Sequence, residues 1–155
     1  MAVPLTFRSM RHDEAELLNE MTLDGVRHWG HHETHPDAVA GLAASLPDAE
    51  GYAAMTVRVL DDGEGALGFY SLVDRGDHVE LLQMFLRPDL IGAGYGRMLW
   101  NDAVTQAAAS ADRMLIMSDP RSIGFYQAMG AELERRVEVS PGFELGVMWV
   151  DLPSG

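Results

Sequence analysis

The chain contains no cysteine. This excludes disulfides, thiolate metal sites and a thiol nucleophile, so an acyl group cannot be carried on the protein as a thioester. Any acyl transfer would go by direct attack of the acceptor. Basic residues are scarce too: 11 stand against 24 acidic ones, for a formal charge of −13. That balance repels nucleic acid and anionic membranes and favours cationic small molecules or basic protein segments. It also opposes an anionic ligand, but solvent screens distant charge over about 8 Å, and a local nest of backbone amides acts at contact range. Long apolar runs are missing; none approaches the ~18 residues that span a bilayer. Met1-Ala2-Val3-Pro4 has no basic flank leading into a hydrophobic stretch. A cytoplasmic protein that uses neither membrane nor nucleic acid is expected.

What is present describes one globular domain over residues 1–155, with 47% hydrophobic residues and neither repeat nor low-complexity linker. Leu5 to Arg8 alternates as a strand. Asp13-Glu14 then precede Leu17, Leu18, Met21 and Val26 on one predicted helical face. A polar break, Gly30 to Pro36, leads to a second helix over Asp37 to Leu46, and Pro47 to Gly51 reads as a loop. Tyr52 to Leu60, Ala66 to Val73 and Val79 to Leu86 read as three consecutive antiparallel strands. A helix over Gly94 to Ala109 follows, then a strand over Arg113 to Met117 and a helix over Arg121 to Met129. Two closing strands cover Glu132 to Val139 and Gly142 to Val150. The expected fold is α/β (α+β): a mixed, mostly antiparallel central sheet of about six to seven strands flanked by about four helices.

Two segments carry the functional signal. In the first, the apolar run Val79-Glu80-Leu81-Leu82-Gln83-Met84-Phe85-Leu86 breaks at Arg87-Pro88, and Gly92-Ala93-Gly94-Tyr95-Gly96-Arg97 opens the next helix. Such a turn gathers unpaired amide N–H groups and the positive end of a helix at one point, which suits a phosphate. The second is Asp119-Pro120-Arg121-Ser122-Ile123-Gly124-Phe125-Tyr126-Gln127-Ala128-Met129-Gly130. A dinucleotide fingerprint would need a third glycine where Arg97 or Leu99 stands, and a P-loop would need Gly-Lys-Ser/Thr. A bare glycine turn would not account for the Phe-Tyr segment downstream.

The order of strand, Gly-x-Gly turn, helix, strand and Phe-Tyr helix resembles the GNAT superfamily of acyl-CoA-dependent N-acyltransferases, over Glu80 to about Ala131. The family pattern Arg/Gln-x-x-Gly-x-Gly/Ala is met by Gly94 and Gly96, with Ile91 at the polar position. Asn-x-x-Ala-x-x-Phe-Tyr is met by Phe125 and Tyr126, with Asp119 for Asn and Ser122 for Ala. The resemblance implies an N-acetyltransferase that uses acetyl-CoA as co-substrate, needs no metal and acylates a small-molecule or protein amine. It implies that amides of Ile91, Gly92, Ala93, Gly94, Tyr95, Gly96 and Arg97 hold the pyrophosphate. The Met84, Phe85 and Leu86 backbone would pair with the pantetheine arm, with Asp119, Ser122 and Phe125 near it. A homodimer would fit family habit, with Gly146 to Val150 at an interface or in the core. The alternative is a non-catalytic acyl-CoA-binding sensor or interaction module, which Ile91 and Asp119 leave open.

Amine acylation requires loss of a proton from the acceptor, polarisation of the thioester carbonyl and stabilisation of the departing thiolate. By resemblance Tyr126 is the candidate acid; the other reading is a core aromatic. Glu80 interrupts an apolar run and is the candidate base, acting directly or through water, or else a solvated edge residue; His78 is a weaker alternative. Asp119 could instead cap the following helix. His28, Trp29 and His32 are expected to border the acceptor pocket. His32-Glu33-Thr34-His35 is one residue short of His-Glu-x-x-His, so a zinc-protease reading does not apply. Trp100 reads as packing.

Overall fold

A computed structural model describes residues 4–153. The remaining ends of the 1–155 domain, including the Met1-Ala2-Val3 start, lie outside the described residues. Seven strands form one sheet in the order β1-β2-β3-β4-β5-β7-β6. They are β1 (Thr6–Ser9), β2 (Thr56–Asp61), β3 (Ala66–Asp74), β4 (Val79–Leu86), β5 (Arg113–Ser118), β6 (Glu132–Ser140) and β7 (Phe143–Asp151). Six α-helices accompany them: α1 (Ala15–His28), α2 (His31–Thr34), α3 (Pro36–Ser45), α4 (Ala49–Ala53), α5 (Tyr95–Ala108) and α6 (Ile123–Ala128). The expected mixed sheet is present, with more helices than the four anticipated. Tyr52, expected to begin a strand, lies in α4, where Asp48 accepts a hydrogen bond from the Gly51 amide and so caps the helix. Its alternation with the next residues is real, but the chain turns once before β2 begins.

One face of the sheet is a closed core. Leu99, Trp100, Ala103 and Ala107 of α5 are buried at helical spacing against Tyr70, Leu81, Met114, Ile116 and Met148. Trp100 belongs to this packing, its ring 5.7 Å from that of Tyr126. Arg58 of β2 and the Tyr70 hydroxyl both bond the Asp102 carboxylate of α5, pinning that helix to the sheet. On the opposite face α1 buries Leu18, Met21, Thr22, Gly25 and Val26, while Leu17, expected on that stripe, is exposed. A Cβ at Gly25 would stand 2.7 Å from the Phe85 ring, so only glycine lets α1 lie this close to β4. Arg8 bridges Glu14 at 2.8 Å and Asp61 at 2.9 Å, fixing the entry to α1, and its guanidinium holds the Glu14 carboxyl below the ordinary carboxylate range.

Two irregularities in β4 create the site. Its parallel pairing with β5 runs only from Val79↔Met114 to Leu81↔Ile116, so beyond Leu81 the β5-facing edge of β4 has no strand partner. Against β3, the register passes from Leu72↔Leu81 to Ser71↔Gln83, leaving Leu82 as a bulge. Strict alternation would put Glu80 and Gln83 on opposite faces; the extra residue brings both to the α1 face, with Phe85. Gly146 to Val150 of β7 lies inside the sheet between β5 and β6, with Val147 and Met148 buried.

Candidate active site

The glycine turn leaves several amides free, the arrangement an anion cradle needs. Gly92 and Gly94 have φ of 92° and 94°, a left-handed conformation that side chains rarely adopt. Among the described residues, the amides of Gly92, Gly94, Tyr95, Gly96 and Arg97 have no backbone acceptor, whereas those of Ile91 and Ala93, expected to join them, donate to the Pro88 and Leu90 carbonyls, each at 3.3 Å. Arg97 is exposed and pairs with no carboxylate among the described residues, which leaves a free cation beside the amides. Ile91, 41% exposed, offers apolar surface where the family pattern has a polar side chain. The two sequence motifs meet here. A Cβ at Gly96 would lie 3.4 Å from the Phe125 ring, an ordinary contact distance, which places the start of α5 beside α6.

From the parting of β4 and β5 a cavity of about 490 Å³ extends to the α1 and α3 side. Met84 and Phe85 form its floor, Asp119, Ser122 and Tyr126 one wall, Glu80 another, and Trp29 stands at the α1 side. The cradle residues are outside it; the two regions join along the free edge of β4, where Leu86 packs near Gly96. Tyr126 is buried on the wall, and burial together with the Asp119 charge pushes its phenol well above the ordinary range, so it stays protonated through neutral pH. Its ring packs on Trp100 and Phe125.

Glu80 is almost covered and ion-paired: Arg75 Nη2 and Nε lie 2.9 and 3.0 Å from its Oε1. His78 lies outside β4, against Trp149 and Asp77, away from the cavity lining. Asp119 does not cap α6, whose N-cap is Ser122. Instead its Oδ1 accepts the Arg121 amide at 2.7 Å in a turn that begins before the helix, because Pro120 intervenes. Its other oxygen faces His31.

The structure brings Trp29 to the cavity but leaves His28 and His32 off its wall. His28 packs edge-on against Trp29, and His32 is exposed beside Glu33. The histidine that reaches the cavity is His31, buried, with Nε2 2.6 Å from Asp119 Oδ2 but poorly directed for a straight hydrogen bond. Four histidines in eight residues look alike in sequence; Gly30, at φ 77°, turns the chain so that His31 points inward. Gln83 was also missed. It is buried, accepts from the Ser71 hydroxyl at 2.8 Å, and donates to Thr22 at 3.2 Å and the Tyr52 hydroxyl at 3.0 Å. Tyr52 in turn donates to Asn19 at 2.6 Å, so one polar chain locks α1 and α4 to β4. A lone amide within Leu81 to Leu86 was the available signal. Among the described residues no group of three or more His, Cys, Asp or Glu side chains is placed to hold a metal ion.

A sheet whose central strands part beside a glycine turn with free amides suits an acyl-CoA-dependent transferase. The chain belongs to the acetyltransferase (GNAT) family, whose pattern matches residues 14–131. It is an N-acetyltransferase that moves the acetyl group of acetyl-CoA to an amine acceptor. It is 28% identical over 138 residues to the peptidyl-lysine N-acetyltransferase YjaB of Salmonella typhimurium, covering 87% of this chain and 88% of that protein. Its fold is similar to a GCN5-related N-acetyltransferase from Rhodopseudomonas palustris, with TM-score 0.80, 16% identity and 98% of each chain covered. It also resembles PaiA N-acetyltransferase from Thermoplasma acidophilum in complex with coenzyme A, with TM-score 0.73, 14% identity and 96% and 99% coverage.

Proposed function

We propose that a primary amine held in the cavity attacks the thioester directly, with Tyr126 at the leaving sulfur and Glu80 on the amine side. The observation that carries this is the position of Tyr126, buried on the cavity wall beside the gap between β4 and β5 and bonded to no protein group among the described residues. The amides of Gly92, Gly94, Tyr95, Gly96 and Arg97 hold the pyrophosphate. The free edge over Met84, Phe85 and Leu86 receives the pantetheine arm, and the Leu86 backbone polarises the carbonyl. Ser122 and Phe125 border that arm.

The acceptor ammonium loses one proton to become nucleophilic, and the new amide nitrogen loses a second as the carbon–sulfur bond breaks. One of these goes to the thiolate and one leaves to solvent. Glu80, its Oε1 held by Arg75, takes the proton through a relaying water. A thiol of ordinary acidity, near 8.5, is a stronger acid than the raised Tyr126 phenol. Tyr126 therefore stabilises the thiolate by donating a hydrogen bond, which requires that it remain protonated.

Glu80→Gln and Tyr126→Phe, assayed for thiol release with acetyl-CoA and an amine panel, test these roles. Unchanged turnover in either removes that residue from the mechanism. Acetyl-CoA binding without transfer to any amine would favour a sensor or interaction module instead. The likeness to YjaB, a peptidyl-lysine N-acetyltransferase, makes a lysine side chain the acceptor class that any other must outcompete. We also infer a cytoplasmic protein acting without nucleic acid or membrane, supported by the net charge of −13; among the described residues no helix is long and apolar enough to cross a membrane. A homodimer is proposed from family habit alone, since the Gly146 to Val150 run is taken up within the sheet. Sedimentation analysis tests it.

A further inference from the structure

α3 is an apolar helix whose residues are all left partly or fully exposed. It carries Ala38, Val39, Ala40, Leu42, Ala43 and Ala44, yet none of its residues is buried. Val39 and Leu42 instead line the cavity, facing Trp29, Phe143 and Leu145 across it. The lining has no Arg, and its carboxylates are Asp37, Glu80 and Asp119. A wall of this kind solvates one ammonium and rewards an apolar body behind it.

The outer side of the cavity is bridged. His35, between α2 and α3, donates from Nε2 to the Gly142 carbonyl in the β6–β7 turn at 3.2 Å. The rings of His31 and His35 pack 5.2 and 4.8 Å from that of Phe143, which follows the turn and begins β7. A protein segment laid across the opening would have to displace this strap; a small free amine would not.

We propose that the acceptor is a small primary amine on an apolar body, an arylalkyl or alkyl amine, rather than a polyamine, an amino sugar or a lysine within a protein. This rests on the reading of the cavity as the acceptor site. The ammonium lies toward Glu80 and Asp119, and the body lies against Val39, Leu42 and Trp29. A set of hydroxyls placed on this apolar wall would lose water without gaining partners, and a second ammonium would find only the remaining Asp37 carboxylate at one end of α3. In the transfer, the amine nitrogen forms the bond to the acetyl carbon and the carbon–sulfur bond breaks. One amine proton appears on the coenzyme thiol and one in solvent.

The test is thiol release from acetyl-CoA by the purified full chain with 2-phenylethylamine, heptylamine, spermidine, kanamycin and a lysine-containing peptide. The chain has neither cysteine nor lysine, so a thiol reagent detects coenzyme A alone and no side chain of the enzyme competes as acceptor. The expected result is a kcat/KM for the two apolar amines roughly tenfold or more above the others. Leu42→Asp, at a partly buried position on the cavity side of α3, should lower that value by about tenfold while leaving acetyl-CoA affinity unchanged. Equal or faster acetylation of spermidine, kanamycin or the peptide would overturn the acceptor class and leave the transferase intact. Apolar-amine turnover that Leu42→Asp does not alter would show that the acceptor binds elsewhere, breaking the reading of the cavity itself. No transfer to any of the five by protein that binds acetyl-CoA would overturn both.

Discussion

The two halves of the proposed site are made from different materials. The cofactor half is backbone: five amides at the start of α5 and the free edge of β4, where the side chains barely matter. The acceptor half is side chain: Glu80, Trp29, His31, Val39, Leu42 and Asp119, drawn from four different parts of the chain. Backbone donors are positioned by φ and ψ, so a turn sequence is enough to specify them. Side chains converge only when the whole sheet and its bulge are in place. Recognition of acetyl-CoA should therefore tolerate most substitutions other than at glycine, while acceptor chemistry should be sensitive to single side chains.

The largest effect expected from that contrast lies where the halves meet. Tyr126→Phe removes one hydroxyl that bonds to no protein group among the described residues, so the fold should be unaffected. Turnover should fall about a hundredfold with little change in acetyl-CoA affinity, measured by steady-state kinetics beside calorimetric titration. Because burial and Asp119 raise its phenol, the wild-type rate should show no alkaline loss from Tyr126 up to the ordinary phenol value of about 10. A wild-type alkaline limb below that value which disappears in Tyr126→Phe would contradict the assignment.

Gly94→Val attacks the backbone half. Its φ of 94° admits valine only with strain, about 1–3 kcal/mol at such a position, and relief of that strain turns the amides away. Acetyl-CoA affinity should drop by roughly tenfold or more by calorimetry. Retained affinity would mean that these amides are not the cradle.

Gln83→Leu tests whether the acceptor half depends on its polar support. The change leaves the Ser71, Thr22 and Tyr52 hydroxyls without their buried partner. A loss of about 1–3 kcal/mol is expected in urea denaturation. An unchanged midpoint would show that water replaces the amide and that the network is not what fixes α1 on β4.

The same division explains what could be read before the fold was known. The seven strands and the larger helices followed from alternation and periodicity, and the cradle from Gly92, Gly94 and Gly96, because these are local properties of the chain. Tyr52 was misplaced because one helical turn and a strand start both display buried apolar residues. Glu80 and Gln83 share a face only through the Leu82 bulge, which depends on pairing with β3 and leaves no mark in a single strand's sequence. His31 was chosen over His28 and His32 by the left-handed Gly30 and by Asp119, which is 88 positions away by number (119 − 31). Likewise the exposure of α3 is a tertiary fact: Pro36 to Ser45 reads as an ordinary apolar helix, and only the fold leaves all of its residues unburied.

The smallest expected effect would sharpen the contrast by adding a side chain to the backbone half. Ile91 sits at the lip of the cradle with 41% of its surface exposed, so an arginine there displaces no core packing. The net charge of −13 makes the surroundings unfavourable for a polyphosphate, and one more cation at the turn offsets part of that field at short range. An exposed pair of this kind contributes about 0.2–1 kcal/mol. Ile91→Arg should therefore tighten acetyl-CoA binding by at most about fivefold, and the gain should shrink as salt is raised. The acceptor preference should not move, because Ile91 lies outside the cavity. A gain that persists at high salt would indicate a buried contact in place of a screened one, and no gain at low salt would mean that the amides already satisfy the phosphates. A shift in acceptor preference would be the more damaging result, since it would show that the backbone half and the side-chain half do not act separately.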